Sequence, residues 1–152
     1  MIRHATRDDL PALVELGRAM ASESPRYRRL TYSGHKVGTL LGNMIDSPDG
    51  FVMLAALGGE IVGVMAAFVS EHWMSDDRMS SDFGLFILPE YRGGTSAMRM
   101  ARAYIQWAQS RGAVDISLGI STDVNSDQTA RFYRALGLVP AGFLFLFEVP
   151  HV

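Results

Sequence analysis

The sequence has 152 residues, of which 48% are hydrophobic and 20% charged, and a formal net charge of -2. That length and balance suit one globular domain with a single sizeable core and exclude a disordered chain. The near-neutral charge, with no long run of Lys and Arg, provides no field to hold a polyanion, so nucleic acid is not an expected partner.

There is no cysteine, which excludes disulfides, zinc-thiolate sites and thiol nucleophiles. The opening Met1-Ile2-Arg3-His4-Ala5 lacks the apolar run of a signal peptide, and the longest apolar stretches fall short of a bilayer span. A cytoplasmic protein without membrane contact is the expectation. His4, His35, His72 and His151 are scattered without helical i, i+4 spacing, so no metal site is expected.

In chain order, Ile2 to Ala5 reads as a short strand. A helix follows with Leu10, Leu13, Gly17 and Met20 on one face, running to about Ser22, and Pro11 in its first turn favours Asp8 over Thr6 as its cap. Ser24 to Ser33 is polar and irregular. Val37, Leu40, Leu41, Met44 and Ile45 then recur at the spacing of a second helix. Phe51 to Leu57 and Ile61 to Val69 are apolar runs joined by Gly58-Gly59, the sequence of an antiparallel hairpin.

A further strand, Met79 to Leu88, ends at Pro89. A glycine-containing loop leads into a helix from Ser96 to about Arg111, with Ala97, Met100, Ala101, Tyr104, Ile105 and Ala108 as its buried stripe and Arg99, Arg102, Gln106 and Gln109 outward. Val114 to Ile120 reads as a strand, Asn125 to Gln128 as a helix start, Gly137 as that helix's C-terminal cap and Phe143 to Val149 as the last strand. The order is that of a mixed α/β, or α+β, domain with helices packed on a central sheet. It spans residues 1–152 with no repeat or linker.

Chemistry concentrates in the loop Arg92-Gly93-Gly94-Thr95-Ser96-Ala97. Two glycines let the backbone curl its N–H groups into one concavity at the positive end of a helix, a site that attracts phosphate. Arg92 adds planar donors and a fixed charge that suit a diphosphate. The same glycines also serve an ordinary strand-to-helix turn.

The segment Leu85-Phe86-Ile87-Leu88-Pro89-Glu90-Tyr91-Arg92-Gly93-Gly94-Thr95-Ser96-Ala97 resembles the coenzyme-A loop of the GNAT acetyltransferase superfamily. The opening Ile2 to Leu10, the hairpin and the later Ala130-Arg131-Phe132-Tyr133-Arg134-Ala135-Leu136-Gly137-Leu138 extend the resemblance over most of the chain. There is no G-x-G-x-x-G and no Gly-Lys-Ser/Thr, which excludes the Rossmann and Walker alternatives. One departure stands out: Thr95 occupies the family's middle glycine, where it either offers phosphate a hydroxyl or weakens binding.

The resemblance implies a GNAT fold, with a mostly antiparallel sheet flanked by helices, and direct transfer of acetyl from acetyl-CoA to a primary amine, with no metal. It implies cofactor contacts at Ile87, Leu88, Arg92, Gly93, Gly94, Thr95, Ser96 and Ala97, the oxyanion donor being a backbone N–H near Ile87 on a bulged strand. Asn125 and Ser126, near the family's pantetheine-binding asparagine, are either further contacts or simple helix caps.

An amine with a pKa near about 10.4 must lose a proton before attack, and the leaving thiolate gains from a proton donor. The resemblance places the donor at Tyr133, a residue that helical periodicity alone would pack into the core. It places the base, acting through water, at Asp82, which is otherwise a solvated or salt-bridged strand residue. Simple alternation puts Ser80, Asp82, Gly84 and Phe86 on one face of their strand, opposite Phe83, Leu85 and Ile87. Glu71 and His72 are weaker candidates for the base.

Pro25 to Tyr32 carries three arginines and two tyrosines, either a solvated loop or part of an acceptor cleft for an acidic or aromatic amine. The final strand is apolar on both faces, covered either by helices of its own chain or by a homodimer partner. A catalytically silent acyl-CoA-binding regulatory or scaffold domain is the alternative to the enzyme.

Overall fold

The computed structural model describes residues 1–150, so His151 lies outside the described residues. Five strands form one sheet in the order β1-β2-β3-β4-β5. They are β1 (Ile2–His4), β2 (Gly50–Leu57), β3 (Glu60–Glu71), β4 (Arg78–Ile87) and β5 (Ala113–Ile116). All neighbours pair antiparallel except β4 and β5, which run parallel. Four α-helices complete the architecture: α1 (Leu10–Glu23), α2 (Gly34–Asp46), α3 (Ser96–Ser110) and α4 (Ser126–Ala135). Among the described residues, no helix is long and apolar enough to cross a membrane.

The sheet is covered on both faces because β2 and β3 carry apolar residues at successive positions rather than alternate ones. Phe51, Met53, Met65 and Ala67 point toward α3 and meet Met100, Tyr104 and Ala108 of its buried stripe. Val52, Leu54 and Ala66 point the other way and meet Leu13 and Leu16 of α1 and Leu41 and Met44 of α2. Burying each of the valine, leucine, methionine and phenylalanine side chains among them contributes roughly 1.5 to 3 kcal/mol. The α3 stripe is as its periodicity dictates, with Arg99, Arg102, Gln106 and Gln109 all exposed.

The hairpin turn between β2 and β3 needs its glycines: Gly58 and Gly59 have φ of +59° and +82°, the pair of left-handed residues that a two-residue turn demands. The helical segment at the N-terminus starts differently from the sequence expectation. Thr6 sits at the N-cap of a 3-10 turn, Arg7–Asp9, that runs into α1, and its N–H donates to Asp9 Oδ2 at 2.8 Å. Asp9 rather than Asp8 is the capping carboxylate, because Arg3 of β1 grips it with two hydrogen bonds of 2.8 Å.

Two further expectations are corrected. β5 stops at Ile116 instead of reaching Ile120, because the chain there leaves the ladder. Phe143 to Val149 forms no strand, although its β-forming side chains favour an extended chain. A strand is completed by a hydrogen-bonded neighbour, and this run pairs with none of the five strands. Phe143, Phe145 and Phe147 are each about nine-tenths exposed.

Candidate active site

The site follows from a ladder that ends early. β4 and β5 pair only over Arg78 to Ser80, with a last rung from Ser117 N–H to Ser80 O at 2.9 Å. Past that point the two segments splay, and the edge of β4 from Asp82 to Ile87 faces a cleft of about 410 Å³. Its floor is β4, its far wall the loop Gly119 to Asn125 and the first turns of α4, and one end opens on Gly93, Gly94 and Ala97 at the start of α3.

A β-bulge sets which side chains line the floor. Ala66 of β3 pairs with Gly84 and Ala67 with Asp82, leaving Phe83 as an extra residue. Alternation therefore reverses at Phe83. Gly84 and Phe86 face α1 and α2, whereas Asp82 pairs with Ala67 of the α3-side core and shares that face with Leu85 and Ile87. The grouping of Asp82 with Gly84 and Phe86 expected from strict alternation is corrected by this one residue, whose ring stacks on Phe68 with centroids 4.8 Å apart.

The bulge sits at Phe83, four residues upstream of Ile87. Leu88 N–H is bonded to Val62 O at 2.9 Å, so the strand's alternation turns the main-chain groups of Leu85 and Ile87 toward the open cleft edge.

Asp82 and Tyr133 come together across the cleft at Gly119. Asp82 Oδ1 accepts the Gly119 N–H at 2.9 Å, and Tyr133 Oη donates to Gly119 O at 2.7 Å. Burial pushes the Asp82 carboxyl above its ordinary value, the Gly119 N–H pulling the other way. Burial also pushes the Tyr133 hydroxyl up, and the nearby Asp82 charge adds to the shift. Tyr133 is thus a protonated donor and Asp82 a proton-attracting carboxylate, held at the two sides of one residue, Gly119. The α4 turn that carries Tyr133 is closed as expected at Gly137, φ +93°, with Leu138 N–H on Tyr133 O and Gly137 N–H on Arg134 O. Glu71 and His72, at the far end of β3, are not among the residues lining this cleft.

The loop after β4 is a 3-10 turn, Pro89–Tyr91, then Arg92 and Gly93, which has φ +95° and so requires glycine. A Cβ added at Gly93 or Gly94 would meet nothing, so the bare backbone lies open to a ligand. The first helical rung of α3 is Arg99 N–H to Thr95 O, which leaves the N–H groups of Ser96, Ala97 and Met98 without helical partners. Thr95 holds the N-cap position without using its hydroxyl as a cap. These open donors at a helix N-terminus fit a diphosphate-bearing ligand.

Arg92 is already engaged. Its Nε donates to Ile87 O at 2.8 Å, and its two terminal nitrogens hold both oxygens of Glu23 at 2.8 and 2.7 Å. Arg92 holds Glu23 below the ordinary carboxylate range. Asn125 has a left-handed backbone, φ 49°, makes no side-chain cap and lines the cleft, whereas Ser126 begins α4 outside the lining. Leu88, Thr95 and Ser96 likewise flank the cleft instead of lining it.

Sequence reasoning missed several lining residues. Gln128 and Thr129 lie one helical turn before Phe132 and Tyr133, a spacing that marks them once Tyr133 is suspected. Met20 and Glu23 of α1 gave no such signal, since only the tertiary fold brings them to β4. Ser24 was also unforeseen, and Tyr27, a tyrosine of the Pro25 to Tyr32 segment, joins it here. Ser24 Oγ donates to Thr122 O at 2.6 Å and Tyr27 Oη donates to Ser121 Oγ, stitching the end of α1 to the cleft's far wall.

Several solved structures share this fold. A transcriptional regulator from Bacillus halodurans C-125 superposes with a TM-score of 0.76 at 20% identity, covering 98% of this chain and 99% of that one. The aminoglycoside 6'-N-acetyltransferase AAC(6')-IG from Acinetobacter haemolyticus does so with 0.75 at 16% identity, over 99% of each chain. An aminoglycoside acetyltransferase from an uncultured soil metagenomic sample, solved with sisomicin, gives 0.72 at 16% identity over 99% and 95%. No curated protein matches the sequence. The model of the acetyltransferase (GNAT) family matches residues 16–138, from within α1 through the cap of α4. The chain belongs to the GNAT family of acetyltransferases.

Proposed function

We propose that the chain, as one domain over residues 1–152, transfers the acetyl group of acetyl-CoA to a primary amine. The observation that carries this reading is the convergence of Asp82 and Tyr133 on Gly119, in a cleft whose other end is the open N-terminus of α3. The free N–H groups of Ser96 and Ala97, the bare backbone at Gly93 and Gly94 and the Thr95 hydroxyl hold the diphosphate, with Arg92 beside them. Main chain at Ile87 and Leu88 and the side chain of Asn125 guide the pantetheine arm, and Ser126 supports that turn.

Acetyl-CoA supplies an activated thioester; the protein supplies alignment and proton handling. Asp82 takes the proton of the attacking amine through water, the new C–N bond forms as the C–S bond breaks, and Tyr133 gives its proton to the departing sulfur. A main-chain N–H of Leu85 or Ile87 on the unpaired edge of β4 stabilises the carbonyl oxygen. An acetyl-CoA titration followed by thiol-release assays over amines, amino acids and peptides tests the reading. Tight cofactor binding with turnover supports it, and absence of cofactor binding at high concentration rejects it. Two copies of the chain pair through the C-terminal segment.

A further inference from the structure

Beside the cleft lies a second cavity of about 460 Å³, on the α1 and α2 side of β4. The two share Met20, Phe83, Gly84 and Phe86, so they meet at one doorway. At this doorway Met20 lies against Gly84, its Sδ 3.4 Å from where a Cβ would stand. Leu13, Leu16, Val37 and Leu41 form the walls of the second cavity, with Tyr27 and Tyr32. Among the described residues, Lys36 is the sole charged one lining it, and no carboxylate does. Of the segment Pro25 to Tyr32, its tyrosines line the cavity and its arginines at 26, 28 and 29 do not.

We infer that this cavity seats the acceptor, a primary amine with an apolar body that presents its nitrogen through the doorway toward Asp82. The inference rests on the acetyl-transfer reading above. Its volume lies within the usual range for small-molecule sites, roughly 300 to 1,000 Å³. A polycation seated there would place several ammonium groups against hydrocarbon with no carboxylate to pair them, and beside the Lys36 charge, an arrangement that desolvation strongly opposes. An aliphatic or aromatic chain ending in one amine buries its body at no such cost, and its single ammonium loses its charge to Asp82 before reaction.

The test compares 2-phenylethylamine and hexylamine with spermidine and sisomicin, reading binding by ligand-observed NMR and transfer by thiol release. The apolar amines are expected to bind without acetyl-CoA and to show kcat/KM at least about tenfold above the polyamines. Leu40→Asp, at a half-exposed position on the cavity wall, places a carboxylate in it. It is expected to weaken 2-phenylethylamine binding about tenfold and leave acetyl-CoA affinity and thermal stability unchanged. Polyamines matching the apolar amines, absence of 2-phenylethylamine binding, or binding indifferent to Leu40→Asp would overturn the inference. Binding of 2-phenylethylamine that Leu40→Asp weakens, without any transfer, leaves the cavity assigned and rejects the acetyl-transfer reading instead.

Discussion

Asp82 and Tyr133, 51 positions apart in the sequence, are joined through a single residue: Asp82 accepts the N–H of Gly119 at 2.9 Å and Tyr133 donates to its carbonyl at 2.7 Å. Tyr133→Phe keeps the ring and removes the proton. Turnover is expected to fall about 10²-fold with acetyl-CoA affinity unchanged, as loss of a general acid requires. Steady-state kinetics with calorimetry checks it, and an equal loss of cofactor affinity would assign Tyr133 to binding.

Asp82 carries a pH signature. Its folded pKa is raised by burial, so the native state holds the proton more strongly than the unfolded chain does. Stability is therefore lost as pH rises from the ordinary carboxylate value, about 3.9, through the raised one. The ionised base costs the fold something at neutral pH. Asp82→Asn is expected to raise the melting temperature at pH 7, to lower kcat, and to remove an acid limb from the rate profile that lies above the ordinary carboxylate range. A melting temperature that falls instead would show that the Gly119 contact outweighs burial.

Glu23 occupies the terminal nitrogens of Arg92 that the proposed diphosphate contact would need. The pair is about one-third exposed on the Arg92 side and one-quarter on the Glu23 side, so breaking it costs little stability. Glu23→Gln releases one guanidinium face and is expected to tighten acetyl-CoA binding several-fold, whereas Arg92→Ala weakens it about tenfold. Isothermal titration of both variants decides the matter. Unchanged affinity in Arg92→Ala would leave Arg92 as a strut between Ile87 O and α1.

The opposite pH sign holds at the N-terminus. Arg3 holds the buried Asp9 carboxyl down at about 2, with the Thr6 N–H assisting. Stability from this contact is complete above the ordinary carboxylate value and is lost as pH falls toward 2. Asp9→Asn is expected to cost on the order of 1 to 2 kcal/mol at pH 7 and to flatten the acid limb of the stability curve. Urea unfolding at pH 7 and pH 3 measures both effects.

These residues also show what the chain discloses on its own. The α3 stripe and the Gly58-Gly59 turn were legible because each is set by local periodicity or local φ. The family's helix pair Phe132-Tyr133 pointed to the hydroxyl that the fold brings to Gly119. The bulge at Phe83 was not legible, since an extra residue exists only relative to a partner strand, and it alone decides that Asp82 faces the α3 side. Glu23 on Arg92 spans 69 positions and is equally silent in sequence. The segment 143–149 states a preference for extended backbone but not who supplies its neighbour.

That segment gives the last prediction. Phe143, Leu144, Phe145, Leu146 and Phe147 are all exposed, the three phenylalanines at 91%, 87% and 91%, so neither face of the run has found cover within the described residues. Its far end is tied down by Arg29, which donates to Val149 O at 2.9 Å and sits 3.7 Å from Glu148. The sheet meanwhile ends at β5, an edge strand whose Val114 is 62% exposed. An open edge and an unpaired apolar run in the same chain satisfy each other when two copies meet about a twofold axis, each lending its run to the other's edge. Removing residues from water at roughly 25 cal/mol per Å² makes five large apolar side chains ample driving force for such pairing. Sedimentation across a concentration series is expected to show a dimer at micromolar protein, and Phe145→Lys with Phe147→Lys is expected to shift it to monomer without lowering acetyl-CoA affinity. A wild-type chain that stays monomeric, soluble and active throughout that range would reject the pairing.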